Sequence, residues 1–342
     1  MMKKQITLGI LLMVALFSGC GRAESIESSA MQTSEAEGTQ HVTAQEDEKK
    51  ETGNTEEEQT ELNYTRDDVK YEEEFPVKLI LASGENVIFM MGRDEEGRSL
   101  YKMDAEHSTF EKLAIAIPDD LGAKNMVVDS DGNCHILMMS VKDNRLSYET
   151  MQMWIVDSQG TLVEKIDFSD EVKILNPFCL AIDQDGFYYM DSLGKNIYQI
   201  DGQGKLCNTV EIESVEGIGV GEDGILYITA TNQEGRGCDL YGLAQNELKK
   251  ITEAELPLSM AKYSNLYPGR KNEVLIFSET SGVLIYDSEI KLLQQALSDN
   301  DFPCSSQDMI GYGMLADGRF VCVYEKSEET YFSYIPIYGE RK

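Results

Sequence analysis

The chain has few histidines, the side chain most often used in acid–base catalysis. Of its three histidines, His41 lies in a polar stretch, His107 lies near a turn, and His135 begins an apolar run. A histidine in an apolar strand is far more often packed than catalytic, so we interpret His135 as structural. No HExxH, GxSxG or P-loop spacing occurs. Local motifs therefore predict no catalytic residue, no metal site and no cofactor.

Two further patterns begin like ligand-binding loops. Asp129-Ser130-Asp131-Gly132-Asn133 starts like a calcium loop, but the residues up to Met139 add no acid, and Ca²⁺ requires six to eight oxygen ligands. Gly217–Gly221 starts like a dinucleotide loop, but it leads into an Asp-Gly turn rather than into the helix that would meet a pyrophosphate. We interpret the first as a hairpin turn and reject the second as a nucleotide site.

Cys20 has a covalent chemistry of its own. It ends the run Leu16-Phe17-Ser18-Gly19-Cys20, which follows two lysines and an apolar stretch of a dozen residues. That stretch is shorter than the roughly 20 residues that a membrane span needs. The run resembles the lipobox of bacterial lipoproteins, although Phe17 stands where leucine is usual. The resemblance implies a signal peptide over residues 1–19, a lipid on Cys20 and anchoring to the outer face of the cell membrane. An ordinary secretory signal is the alternative.

Residues 20–63 have the composition of a disordered acidic tether. Between residues 21 and 75 there are 17 acidic and 5 basic side chains and few aliphatic ones, too little apolar surface to fold. The whole chain carries a formal charge of −31. Nucleic-acid binding requires basic residues that displace counterions, so we expect no nucleic-acid partner. The expected partners are the membrane, through the lipid on Cys20, and an envelope protein, a glycan or a peptide. We expect a monomer.

Six cysteines follow Cys20, and none forms a CxxC pair. Outside the cytosol they have 15 ways of forming three disulfides. Most of them lie in predicted strands, where a free cysteine behaves as a small buried apolar residue. We therefore expect thiols at Cys134, Cys179, Cys207, Cys238, Cys304 and Cys322.

A repeat of about 46 residues organises the remainder of the chain. Its clearest element is a short strand that often ends in aspartate. The copies are Leu100–Asp104, Met153–Asp157, Ile197–Asp201, Leu240–Ala244, Val283–Asp287 and Tyr331–Ile335. A weaker strand follows each of the first five copies, and we assign Lys291–Leu297 to this class despite its helix propensity.

An apolar hairpin precedes each copy of the repeat. Its turn is Asp-Gly in four units, at Asp131, Asp185, Asp223 and Asp317, with Ser83-Gly84 and Lys271-Asn272 in the other two. Asp-Gly favours the positive φ angles of tight hairpins. Four antiparallel strands repeated six times predict an all-β chain, a β-propeller of six four-stranded blades over residues 64–342.

The last unit has only three strands before the chain ends. Propellers often close by taking a strand from the opposite end of the chain. We expect residues 64–75 to supply it.

The Asp-Gly-x-hydrophobic-Tyr pattern, as in Asp223-Gly224-Ile225-Leu226-Tyr227, resembles NHL-type six-bladed propellers. Lipobox, acidic tether and propeller together are similar to the propeller portion of some Gram-positive extracellular solute-binding lipoproteins. In that group a solute-binding domain follows the propeller, and we expect none in this chain.

Propeller geometry places a ligand on the face formed by two classes of loop. These are the loops leading into each first strand and those joining the second and third strands. Aromatic, amide and charged side chains there suit sugar or peptide recognition. The candidates are Asn176, Phe178, Asp191, Lys195, Asn232, Arg236, Tyr263, Asn265 and Tyr312.

From these features we expect a binding or scaffolding module rather than an enzyme, its ligand a protein, a glycan or a peptide. The alternative is a metal-dependent, lactonase-like or lyase-like propeller enzyme, because ligands contributed by separate blades leave no local spacing pattern. A third possibility is a structural accessory of an envelope complex.

Overall fold

The computed structural model describes most of the chain between residues 67 and 338. The described segments are 67–71, 77–84, 87–94, 97–104, 109–143, 145–172, 174–232, 237–245, 247–251, 256–257, 265–268, 273–278, 282–287, 292–297, 302–304, 309–315, 317–327 and 329–338. Within them every regular element is a β-strand, and no helix there is long and apolar enough to cross a membrane.

The strands form six antiparallel sheets, the blades of a β-propeller. Blade 1 contains β2 (Val77–Gly84), β3 (Val87–Asp94), β4 (Gly97–Asp104) and β5 (Thr109–Lys112). Blade 2 contains β6 (Leu121–Val128), β7 (Cys134–Lys142), β8 (Arg145–Val156) and β9 (Leu162–Asp167). Blade 3 contains β10 (Leu180–Ile182), β11 (Tyr188–Ser192), β12 (Asn196–Ile200) and β13 (Leu206–Glu211).

The second half repeats this order. Blade 4 contains β14 (Val215–Val220), β15 (Leu226–Thr231), β16 (Gly237–Ala244) and β17 (Glu247–Lys250), and β18 (Leu256–Pro257) pairs with β16. Blade 5 contains β19 (Asn265–Pro268), β20 (Glu273–Ser278), β21 (Gly282–Asp287) and β22 (Leu292–Leu297). Blade 6 contains β23 (Met309–Met314), β24 (Arg319–Lys326), β25 (Glu329–Pro336) and, outermost, β1 (Asp67–Tyr71).

The predicted closure is confirmed. Strand β1 pairs antiparallel with β25, in a register that sets Asp67 opposite Tyr334 and Tyr71 opposite Thr330. Blade 6 thus obtains its fourth strand from the N-terminal side of the propeller. The prediction extended over 64–75, of which 67–71 form the strand. The segment from Leu292 to Leu297 is also a strand, as predicted, because its pairing with β21 outweighs its helix propensity.

The Asp-Gly turns occur where the repeat places them, but their geometry differs from the expected one. At Asp131-Gly132 only the glycine has a positive φ, of 82°. The amide of Gly132 donates to the carbonyl of Asp129, and the amide of Asp129 donates to the carbonyl of Asn133. This is a longer hairpin with a glycine bulge rather than a two-residue turn. Ser83 and Gly84 end strand β2, and Lys271-Asn272 lies outside the described residues.

Among the described residues, the core consists of six apolar clusters, one between each pair of neighbouring blades. Strand β3 shows how the pattern arises. Phe89 packs towards blade 2, whereas Ile88 packs towards blade 6. Both faces of each second strand are therefore buried. These strands lack the alternation of apolar and polar residues that is typical of a strand with one solvent-exposed face.

The predicted thiols are confirmed. All six cysteines after Cys20 are present as thiols, and three of them, Cys134, Cys238 and Cys322, are buried.

Candidate functional site

The innermost strands of blades 2 and 4, and the loop that leads into the innermost strand of blade 3, carry different side chains at one equivalent position. Counting five residues back from the first residue of each hairpin turn gives Lys124, Phe178 and Glu216. The strand register shifts at Lys124 and again at Glu216, so each is the extra residue of a β-bulge. A bulge leaves one residue outside the ladder and redirects its side chain. All three lie at the end of the strands that carries the predicted ligand loops.

Phe178 is exposed yet fixed in place. Its side chain is 60% exposed, which is unusual for so large an apolar group among the described residues. Its amide donates to Oδ1 of Asp191 at 2.6 Å, and its carbonyl accepts from Nδ2 of Asn125 at 3.0 Å. Blade 2 therefore clamps one side of this backbone unit and blade 3 the other. The ring is exposed to solvent, while hydrogen bonds on both sides hold the main chain that carries it.

Asp191 has no exposed surface and accepts three main-chain hydrogen bonds. They come from Phe178 and from Cys179 at 2.7 Å, both to Oδ1, and from Gly194 to Oδ2 at 3.0 Å. Burial raises the pKa of the carboxyl group, although these amide donors oppose the rise. Sequence analysis placed Asp191 among ligand-contacting residues. Because it is buried, its role is to position the loop that carries Phe178.

Lys124 supplies a cation beside this ring. Its Nζ lies 5.3 Å from the centroid of the Phe178 ring, within the range of a cation–π interaction. The same Nζ donates to Oδ1 of Asn176 at 3.2 Å. Burial lowers the pKa of Lys124, while the charge of Asp191 partly offsets the effect. Among the ion pairs of the described residues none involves Lys124.

Two exposed leucines lie on the two segments that Asp191 connects, the loop that carries Phe178 and the turn after β11. Leu175 is 47% exposed and Leu193 is 50% exposed. The amide of Leu193 donates to the carbonyl of Leu175 at 3.0 Å, which joins the loop before β10 to the turn between β11 and β12. We call Leu175, Phe178 and Leu193 the blade 3 patch.

Cys179 and Glu216 continue the site towards blade 4. Sγ of Cys179 lies 3.7 Å from the carbonyl oxygen of Glu216, and Thr231 donates its hydroxyl hydrogen to Oε1 of Glu216 at 2.8 Å. Burial raises the pKa of the Cys179 thiol, and the charges of Asp191 and Glu216 add to the rise. A thiol in this setting stays protonated and is a poor nucleophile.

The other predicted site residues are not all at this location. Lys195 is exposed in the turn that carries Leu193. Asn232 directly follows β15, and its Oδ1 accepts from the amide of Gly237. The Tyr312 ring packs 4.3 Å from the Phe277 ring, in the core between blades 5 and 6. For Asn265, in β19, the structure describes the main chain, which pairs with Phe277 of β20. Arg236 and Tyr263 lie outside the described residues.

His135 and Asp129 form a structural pair on the opposite side of blade 2. Nε2 of His135 lies 2.9 Å from Oδ2 of Asp129, and Nδ1 lies 2.8 Å from the hydroxyl of Tyr188. Oδ1 of Asp129 accepts from the amides of Asp131 and Asn133. The carboxylate that began the apparent calcium loop is thus used within its own hairpin. In the described part of the chain, no group of three or more His, Cys, Asp or Glu side chains could hold a metal ion.

Of the residues at this candidate site, the sequence predicted Asn176, Phe178, Asp191 and Lys195 but not Lys124, Asn125, Leu175 or Leu193. A signal for Lys124 was present. Aligning the units on their Asp-Gly turns puts Lys124, Phe178 and Glu216 in one column, where a first strand is otherwise mostly apolar. For the leucines there was no signal, because exposure of an apolar residue is not visible in its type.

Comparison with solved structures supports the fold. The chain is similar to a streptogramin B lyase structure, with a TM-score of 0.52, 12% identity and coverage of 80% of this chain and 98% of the other. It is also similar to virginiamycin B lyase from Staphylococcus aureus, with a TM-score of 0.51, 9% identity and coverage of 80% and 99%. No protein-family model and no curated protein sequence matches the chain. At these identities the similarity concerns the fold alone. Together with the six antiparallel sheets, it identifies the fold of this chain as a β-propeller.

Proposed function

We propose that this chain is a binding module that recognises a protein, glycan or peptide through the blade 3 patch and the adjoining Lys124. One observation carries the proposal: Phe178 is exposed, yet its main chain is clamped by Asn125 from blade 2 and by Asp191 from blade 3. Fixing an aromatic group before binding lowers the entropy lost when a ligand docks. Exposed aromatic anchors of this kind contribute much of the energy of many interfaces.

The folded state itself gains little from this arrangement. An exposed ring buries little apolar area, so the hydrophobic contribution of Phe178 to folding is small. The hydrogen bonds around it hold a surface feature rather than a core. This distribution of interactions is typical of a recognition site on a rigid scaffold.

The test is a thermal-shift screen of the full chain against oligosaccharides and peptides, with two variants. Phe178→Ala removes the ring, and Val163→Ala removes another exposed apolar side chain, on the outermost strand of blade 2. We expect a ligand that raises the melting temperature of the wild type and of Val163→Ala, with the shift lost in Phe178→Ala. A shift that survives Phe178→Ala would place recognition elsewhere and refute the proposal.

We further propose that the module is displayed outside the cell by a lipid on Cys20. The support is the sequence of residues 3–20 and the acidic composition that follows. Two or more acyl chains would make such anchoring stable, whereas one would be marginal. Expression with an alkyne-labelled fatty acid tests this. We expect the label on the wild type and on Cys207→Ala, which removes an exposed thiol, and no label on Cys20→Ala. Label on Cys20→Ala would contradict a lipid at Cys20.

A further inference from the structure

The turn between β11 and β12 has a residue that its conformation disfavours. The amide of Lys195 donates to the carbonyl of Ser192 at 3.0 Å, and both central residues have positive φ, 54° at Leu193 and 65° at Gly194. Turns of this form favour Asn-Gly, because asparagine tolerates the left-handed region and leucine does not. A relaxed alternative is therefore available at this position, and the chain instead carries a strained leucine.

That leucine is also half-exposed, so core packing does not account for it. It lies beside Leu175, through the hydrogen bond between their main chains, and two residues beyond Asp191, which holds Phe178. Strain of this kind persists where the surrounding structure fixes it, and it is concentrated at functional positions. Leucine here has a chemical consequence that asparagine would not: it adds apolar surface to the patch.

Two cations, Lys124 and Lys195, lie beside the patch, although the chain as a whole carries −31, and the carboxylates of Glu213 and Glu216 lie on the side towards blade 4. Nζ of Lys124 is partly buried and bonds to an amide oxygen, that of Asn176. The buried carboxylate whose charge acts on Lys124, that of Asp191, accepts hydrogen bonds from three main-chain amides. Lys195, in the strained turn, is a second cation. The amide of Ile212 donates to the Lys195 carbonyl, and the residue after Ile212 is the exposed Glu213. Lys124 is partly desolvated and forms no ion pair with the residues that the structure describes, and such a cation favours an anionic group from outside.

We infer that the occupant of the blade 3 patch is a peptide segment in which an apolar side chain stands next to a carboxylate. This inference rests on the proposed function and narrows it. The apolar side chain packs on Leu175, Phe178 and Leu193, and the carboxylate meets Lys124. Exposed leucines on the same loop and the neighbouring turn as the ring favour a peptide over a glycan, since sugar rings stack on aromatic faces and gain little from leucines. Exposed apolar patches with a polar rim are characteristic of protein–protein contacts.

The test selects a library of random nonapeptides, displayed on phage, on the full chain. We expect the enriched peptides to combine an apolar residue with Asp or Glu at a neighbouring position. The best of them is then synthesised together with its amide form, in which Asp or Glu becomes Asn or Gln. We expect the amide form to bind about tenfold more weakly to the wild type.

The variants locate the contact. For the acidic peptide we expect a loss of about tenfold or more in Phe178→Ala and about threefold or more in Leu193→Asn. Val163→Ala should bind like the wild type. Lys124→Gln should bind the acidic and amide forms about equally, because the charge contact is removed from one side. Melting temperatures near that of the wild type would show that Phe178→Ala and Lys124→Gln are folded.

Three outcomes would overturn the inference. Peptides enriched without acidic residues would refute the charge contact. Equal binding to Phe178→Ala and Val163→Ala would refute the location. Failure of the library, with a glycan array binding in a manner that depends on Phe178, would refute the peptide and leave the proposed function intact. Failure of both the library and the array would refute the inference and the proposed function together.

Discussion

The main-chain nitrogen of Phe178 lies 2.6 Å from Oδ1 of Asp191, so a fully buried carboxylate holds the most exposed large apolar side chain of the described residues. The same carboxylate also binds the amides of Cys179 and Gly194. It therefore connects the loop before β10 with the turn after β11, and both carry the blade 3 patch. The main-chain positions of Phe178 and of the turn after β11 therefore both depend on hydrogen bonds to the Asp191 side chain.

The pKa of Asp191 gives a first prediction. Burial raises this pKa above its ordinary value of 3.8, so the folded chain holds the proton more tightly than the unfolded chain. The contribution of Asp191 to the free energy of unfolding is then largest below pH 3.8 and falls as pH rises through the raised pKa. Urea unfolding of the wild type and of Asp191→Asn from about pH 3.5 to 6 measures it. The difference in free energy, wild type minus variant, should decrease with pH. An increase would contradict the direction of the shift.

Asp129 should behave in the opposite way. Burial opposes its ionisation, but hydrogen bonds from His135 and Asn133 outweigh this and lower its pKa from 3.8 to about 2. Its contribution to stability is present above pH 3.8 and is lost as pH falls towards 2. Since the side chain is partly exposed, we expect on the order of 1 kcal/mol. The same urea series on Asp129→Asn should show a difference that grows with pH from about 2 to 5. A flat difference would mean that the hairpin does not depend on the charge.

Leu193→Asn should stabilise the fold while it weakens recognition. Asparagine tolerates the positive φ of this turn, and the strain relieved is about 1 kcal/mol. Leu193→Ala is the matched control, because it removes apolar surface and leaves the backbone strain. We expect a higher free energy of unfolding for the asparagine variant than for the wild type, and none of that gain for the alanine variant. Equal free energies of unfolding for the two variants would show that Leu193 does not destabilise the fold through backbone strain.

Gly219→Ala should be strongly destabilising. A Cβ on Gly219 would lie 2.5 Å from the carbonyl oxygen of Leu266 and 2.8 Å from its Cβ, so β14 and β19 would have to separate. Backbone atoms cannot move aside as a flexible side chain can, and we expect a loss of about 3 kcal/mol. Gly202→Ala is the control, since Gly202 is exposed and its nearest neighbour would be 3.8 Å away. A change below about 1 kcal/mol in Gly219→Ala would show that the blades yield more easily.

The closing strand can be tested by truncation. A chain that begins at residue 60 retains β1, whereas one that begins at residue 72 leaves β25 without its outer neighbour. Each lost ladder hydrogen bond costs about 0.5–1.5 kcal/mol, so several of them should lower the free energy of unfolding by about 2 kcal/mol or more. Urea denaturation of the two chains measures the difference. Equal midpoints would mean that the propeller closes without β1.

Much of the fold was accessible from the sequence because its periodicity is local. The strand copies from Leu100–Asp104 to Tyr331–Ile335 are all third strands, and the Asp-Gly turns join first and second strands. A turn is specified by neighbouring residues, as at Asp157, where Oδ1 accepts from the amides of Gln159 and Thr161. Such contacts span four residues or fewer. The closing strand was predictable by counting, because the last unit was one strand short.

The sequence by itself determined the repeat, its turns and the number of blades, since each depends on residues close together in the chain. Tertiary structure alone decided which side chains meet at the end of the strands that carries the predicted ligand loops. Lys124 reaches Phe178 across a blade interface, and Asn125 bonds to the carbonyl of a residue 53 positions away. Tyr312, expected at the ligand face, is half-buried and packs against the core between blades 5 and 6. Burial and exposure arise from how the blades stack, and residue type does not encode that stacking. The patch is therefore a property of the assembled propeller.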